Sequence, residues 1–146
     1  MLAAFQANRD PLTGELTCYG EASAGEPHVR RLTAAGWEFR AYSAYDGATM
    51  AMAAFDPDRR IILIVGGLRD ASVPPIQDMW QVGERSFQLL SPFAPRLFDG
   101  AMAYARFATA RGMYVFGGVD RDGRTTDTTF IFNGTSWDFG DGNVAT

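Results

Sequence analysis

Histidine and cysteine occur once each in this chain of 146 residues, as His28 and Cys18. A single cysteine excludes an internal disulfide framework, and one of each excludes a Cys/His zinc site built within the chain. Long hydrophobic runs are missing too. The longest wholly apolar stretch, Ile61 to Leu68 with its glycines, falls far short of a bilayer span. Positive charge is scattered: thirteen basic residues, all arginine, stand against seventeen acidic ones for a net charge of −4. That balance disfavours a nucleic-acid partner, because backbone binding needs clustered cations to displace counterions. The opening Met1-Leu2-Ala3-Ala4-Phe5 lacks the basic and apolar regions of a secretory leader, so the compartment stays open with the cytoplasm slightly favoured. What remains is 47% hydrophobic, 21% charged and 13% aromatic. Such a composition is neither disordered nor membrane-spanning and suits one ordinary domain over 1–146.

The chain is organised around Arg60-Ile61-Ile62-Leu63-Ile64-Val65-Gly66-Gly67. A short apolar run ending in glycine reads as a strand buried on both faces. The pattern returns 51 residues later as Gly112-Met113-Tyr114-Val115-Phe116-Gly117-Gly118, and a worn copy precedes it as Glu15-Leu16-Thr17-Cys18-Tyr19-Gly20-Glu21. One unit is used three times. In the middle copy, strands are expected over Ala48–Phe55, Ile61–Val65, Asp78–Val82 and Ser86–Leu89, with a turn at Asp56–Arg59 and a longer loop at Leu68–Gln77. The third copy reads Ala101–Phe107, Met113–Phe116, Phe130–Phe132 and Ser136–Phe139, with Asn133-Gly134 as a hairpin turn whose two residues tolerate positive φ. The first reads Leu2–Phe5, an expanded turn at Gln6–Gly14, then Leu16–Tyr19, His28–Leu32 and Trp37–Phe39. An apolar residue stands five before a closing aromatic in every copy: Leu32 and Trp37, Val82 and Phe87, Phe132 and Trp137. The connections Tyr45-Asp46-Gly47-Ala48 and Phe98-Asp99-Gly100-Ala101 also match.

A hydrophobic strand ending in Gly-Gly, then a loop, an apolar strand with Asp78 and Trp80, and a closing tryptophan resembles the kelch repeat of β-propeller proteins. The resemblance covers nearly the whole chain. Copy one departs from it, with Gly20-Glu21 at the double glycine and Arg30 at the third-strand aromatic. It implies an all-β chain of three four-stranded antiparallel kelch-like blades at about residues 2–40, 46–90 and 99–139. Closed propellers use about 4–8 blades. Three would form a partial or oligomer-completed propeller with apolar faces exposed at both ends. Additional blades in a longer protein are the first expectation, and a homodimer completing a six-bladed ring the second.

The resemblance implies a scaffold without covalent chemistry, binding a protein or small ligand through loops on one rim. By that resemblance the loops after the double glycines, and those entering the first strands, line the contact face. They select Arg69, Asp70, Asp120 and Arg121, with Asp46 and Asp99 beside them. Arginine there could grip carboxylates bidentately, whereas the plain alternative is solvated loop charge. Asp46 and Asp99 admit a second reading as turn formers, and Asp120-Arg121-Asp122-Gly123 resembles the start of a calcium loop without its later ligands. No catalytic, metal or cofactor residue is assigned. A copper-oxidase site, known in some relatives, would by resemblance need two histidines and a Tyr–Cys cross-link, which His28 and Cys18 alone cannot supply. The rival reading is an enzyme fragment (a propeller oxidase, isomerase or hydrolase) with its active site partly outside the chain. The aromatics Trp37, Trp80, Phe87, Phe130 and Trp137 are expected in packing between repeats.

Overall fold

The computed structural model describes residues 6–9, 13–14, 16–21, 27–33, 35–41, 50–69, 72–82, 87–91, 93–107 and 111–140. Among these residues every regular element is a strand. Sheet 1 holds β1 (Gln6–Arg9), β2 (Leu16–Glu21), β3 (Pro27–Thr33) and β4 (Gly36–Ala41). Sheet 2 holds β5 (Met52–Asp56), β6 (Ile61–Val65), β7 (Met79–Val82) and β8 (Phe87–Ser91). Sheet 3 holds β9 (Ala101–Arg106), β10 (Arg111–Phe116), β11 (Thr129–Phe132) and β12 (Trp137–Gly140). Each is an antiparallel meander in which sequence neighbours are sheet neighbours.

The five-residue spacing seen in sequence is the register of the last hairpin in each sheet. Leu32 pairs with Trp37, Val82 with Phe87 and Phe132 with Trp137. In sheet 3 the four intervening residues close with Asn133 as a side-chain cap. Its Oδ1 accepts from the backbone N–H of Thr135 (2.9 Å) and Ser136 (3.0 Å). Of the Asn-Gly pair only Gly134 takes a positive φ, of 107°, so this turn depends on the asparagine side chain rather than on two left-handed residues.

The same register corrects two sequence expectations. Gln6–Arg9 is strand, inside the stretch read as an expanded turn, while Leu2–Phe5 lie outside the described residues. The first strand of the middle copy starts at Met52 rather than Ala48, because Met50 is left-handed at φ 56°. Its counterpart is Asp99, at φ 57°. Val65 pairs with Met52 as Phe116 pairs with Ala101, which sets Met50 opposite Asp99 in the alignment of the two sheets. Asp99 thus matches Met50 in the two sheets, while Asp46-Gly47 lie outside the described residues.

Sheet 2 is covered on both sides. One face contributes Met52, Ala54, Leu63, Val65 and Met79 to a core shared with Met113, Val115 and Phe132 of sheet 3. The other buries Ala51, Ala53, Ile62, Ile64 and Val82, and β1 lies against β5 on the way to sheet 1. This explains a run of consecutive β-branched and aliphatic residues in β6: alternation would strand polar side chains in a core. Fully burying each such side chain contributes about 1.5–3 kcal/mol.

The segment joining sheets 2 and 3 is pinned to both. The Gly67 N–H donates to the Leu97 carbonyl at 2.9 Å, and the Ala94 N–H to the Gln77 carbonyl at 2.9 Å. Phe98 and Val119 exchange N–H donations at 3.1 and 2.8 Å, and the Asp99 N–H donates to the Met50 carbonyl at 3.0 Å. Gly66, at φ 66°, lies so close to this segment that a Cβ would run into the Leu97 carbonyl oxygen. Here the double glycine serves both a left-handed turn and a close backbone approach. Gly66→Ala is expected to destabilise the protein by roughly 1–3 kcal/mol or more, read as a lower urea midpoint. An unchanged midpoint would show that the close approach does not govern the joint.

Candidate functional site

Antiparallel order sends the β6–β7 loop, the β10–β11 loop and the segment between sheets to one end of the molecule. The short β5–β6, β9–β10 and β11–β12 turns lie at the other. Each end carries a polar arrangement between sheets 2 and 3.

At the loop end is a cavity of about 440 Å³. Its apolar lining is Phe93, Ala94, Pro95 and Leu97 from the joining segment with Phe130 and Trp137 from sheet 3. Gln77, Arg96, Asp120, Arg121, Asp122 and Thr126 supply the polar groups. Arg96 is held by donating from Nε to Gln77 Oε1 at 2.9 Å. Phe93 is 75% exposed. The Trp137 ring sits 5.2 Å from that of Phe132, and its buried indole N–H has no hydrogen-bond partner among the described residues. Apolar walls with a few convergent polar groups are the usual make-up of a small-ligand site.

Two of the six sequence-selected residues, Asp120 and Arg121, line this cavity. Asp120 works mainly within its own loop. Its Oδ1 accepts from the N–H of Asp122 (2.8 Å) and of Arg124 (2.9 Å), and its N–H donates to the Arg124 carbonyl. The Arg124 N–H above all, with the Asp122 N–H and the nearby arginines, holds the Asp120 carboxyl below its ordinary range. The turn at Asp122-Gly123 is thus braced by Asp120. Arg121 is exposed, with Nε 3.8 Å from Asp122 Oδ1. Arg69 is not part of the cavity and stands 3.8 Å from the Asp78 carboxylate. Asp99 acts through its backbone, and Asp46 and Asp70 lie outside the described residues. Sequence reasoning missed Arg96 and Gln77. The available signal was Pro92-Phe93-Ala94-Pro95-Arg96, two prolines stiffening the approach to an arginine between repeats. Trp137, expected in packing, also lines the cavity.

The far end is held by Asp58, in the turn after β5. Its carboxylate accepts from the Tyr104 hydroxyl at 2.6 Å, from Arg106 Nη2, and from Arg111 Nη1 at 3.5 Å. Tyr104 and Arg106 alternate along β9, which places both on the face toward sheet 2. Next to them Asp56, a buried carboxylate, accepts from the N–H of Asp58 (3.0 Å) and Arg59 (3.2 Å). Arg59 then donates to the Gly134 carbonyl at 3.2 Å. The turn at Asp56–Arg59 is legible in the sequence, but its partners 46 to 75 residues away are not.

The Tyr104 hydroxyl first, then the Arg106 and Arg111 guanidinium groups, hold the Asp58 carboxyl below its ordinary range against some desolvation. The same hydrogen bond raises the Tyr104 hydroxyl. A carboxyl depressed in the folded state stabilises at pH above its unfolded value, and that stability is lost as pH falls through the folded value. The melting temperature should therefore drop on acidification below about pH 4. Asp58→Asn should lower it by a few degrees at neutral pH and flatten the acid slope. An unaltered slope in this variant would remove Asp58 from the acid response.

No protein-family model matches the chain, and no curated protein matches it. Among solved structures the chain is similar in fold to YjhT, with a TM-score of 0.62 at 11% sequence identity. The similarity covers 96% of this chain and 46% of YjhT, so the chain spans less than half the length of that neighbour.

Proposed function

We propose that this chain is a non-catalytic, kelch-type β-propeller module whose sheets act as blades, and that it binds through the cavity at the loop end of sheets 2 and 3. The observation that carries this reading is the composition of that cavity. It has aromatic and aliphatic walls, two exposed arginines in its lining and a buried indole donor with no partner among the described residues. Three further points support it: four-stranded meanders repeated in order, first strands β1, β5 and β9 as the places where successive sheets meet, and the likeness in fold to YjhT.

The chemistry favours a ligand or peptide side chain that joins an apolar body to an acceptor or anionic group. The body would displace water from Phe93, Phe130, Pro95 and Leu97. The acceptor would take the Trp137 N–H or a guanidinium, each a charge-assisted or otherwise buried hydrogen bond of real worth. Among the rim residues read from sequence, Arg121 is the one in reach of this role. Arg69, committed toward Asp78, is a secondary contact for a larger protein partner.

The test is a panel of aromatic carboxylates and of peptides with aromatic carboxy-terminal residues, screened by thermal shift and titrated by tryptophan fluorescence. A charge-assisted hydrogen bond contributes about 1.5–3 kcal/mol, so Arg96→Ala and Arg121→Ala should each weaken a captured compound by about 10- to 100-fold. Melting temperatures should hold, since both side chains are exposed. Failure of every compound to bind, or equal binding by both variants, would overturn the assignment of this cavity.

A further inference from the structure

The face of sheet 2 that sheet 3 covers includes Met52, Leu63, Val65 and Met79, all 0% exposed. Register carries these places onto sheet 3. Val65 pairs with Met52 and Leu63 with Ala54; Phe116 pairs with Ala101 and Tyr114 with Ala103. Tyr114 and Phe116 therefore stand where Leu63 and Val65 stand. On sheet 3, however, Phe116 is 54% exposed, Phe107 is 60% exposed, and Ala101 and Ala103 are open. Phe107 packs edge-on against Tyr114 with ring centroids 5.6 Å apart. Ile131 lies across from Tyr114. The patch formed by Ala101, Ala103, Phe107, Tyr114, Phe116 and Ile131 carries no charge of its own, and Asp138 borders it beside Ile131.

The complementary face is on this same chain. Leu16 pairs with Leu32, Ile62 with Val82 and Met113 with Phe132, so Leu16, Ile62 and Met113 hold one structural place. Met113 is in the core between sheets 2 and 3, and Ile62 is in the core on the other face of sheet 2. Leu16, half-buried, marks the corresponding face of sheet 1, with the exposed Arg9 paired beside it. Sheet 3 thus leaves open the side on which sheet 2 receives its neighbour, and sheet 1 carries the position that enters such a joint.

We propose that a second copy of this chain closes the arc: sheet 1 of each copy seats on sheet 3 of the other, giving one ring of six sheets. Joining unlike faces is a heterologous contact, and it yields a closed two-copy assembly when each arc turns through half a circle. Size agrees with this occupant. The similar fold of YjhT accommodates nearly all of this chain in 46% of its length, leaving room for a second segment of about the same size. The joint lies on the opposite side of sheet 3 from Phe130 and Trp137, so it is independent of the ligand cavity.

Light scattering on the purified chain, coupled to size exclusion, should give twice the chain mass of 15.9 kDa. Phe116→Glu and Leu16→Arg should each give the single-chain mass at the same concentration. Mixed in equal amounts, the two variants should recover a dimer, because one of its two joints then consists of unaltered faces. A wild-type mass other than the dimer would overturn the proposal. So would a dimer that survives either substitution, or no recovery on mixing. A pairing of two sheet 3 faces would leave Leu16→Arg dimeric and is thereby told apart. Arg121→Ala, which tests the cavity, should leave the mass doubled.

Discussion

The carbonyl of Leu97, taken by the Gly67 N–H and pressed against Gly66, is the contact on which the docking of sheets 2 and 3 depends. An antiparallel meander satisfies its own backbone but says nothing about where the next meander goes. That placement needs a polar anchor, since apolar faces slide on one another at little cost. The double glycine supplies it by exposing two peptide groups with no side chain in the way. Once Leu97 is fixed, Phe98 pairs with Val119 and Asp99 reaches Met50, and the faces of sheets 2 and 3 are brought into one alignment. At the far end Asp58 performs a similar task by different means, with Tyr104, Arg106 and Arg111 converging on one carboxylate from the other sheet.

Much of this architecture was legible in the residues. The Ile61–Val65 and Met113–Phe116 runs announced their strands, and the five-residue spacing announced hairpins whose paired positions the structure shows. These signals are local, and local signals survive in a single sequence. The start of β5 was misplaced because the Asp-Gly lead-in looked like a shared landmark. The backbone instead puts the left-handed residue at Met50, where no side-chain preference advertises it. The first strand of sheet 1 was misplaced for a related reason: Gln6–Arg9 is polar and reads as turn, yet it is held by pairing with Leu16–Tyr19.

The candidate site was legible only in part. Asp120 and Arg121 were found because the repeat marks the loop that carries them. The sequence could not divide their labour, in which Asp120 braces the turn and Arg121 faces outward. Arg96 and Gln77 come from different loops, 19 residues apart, and meet through a side-chain hydrogen bond that no periodicity encodes. The Asp58 cluster is equally nonlocal. Both arrangements exist because two sheets are docked in one particular way, and docking is a property of the fold.

Because sheet 2 is enclosed on both faces, any replacement there must satisfy two neighbours at once. Sequence drift would then run unevenly along a tandem array. The middle copy, held on both faces, keeps the pattern of the unit sharp.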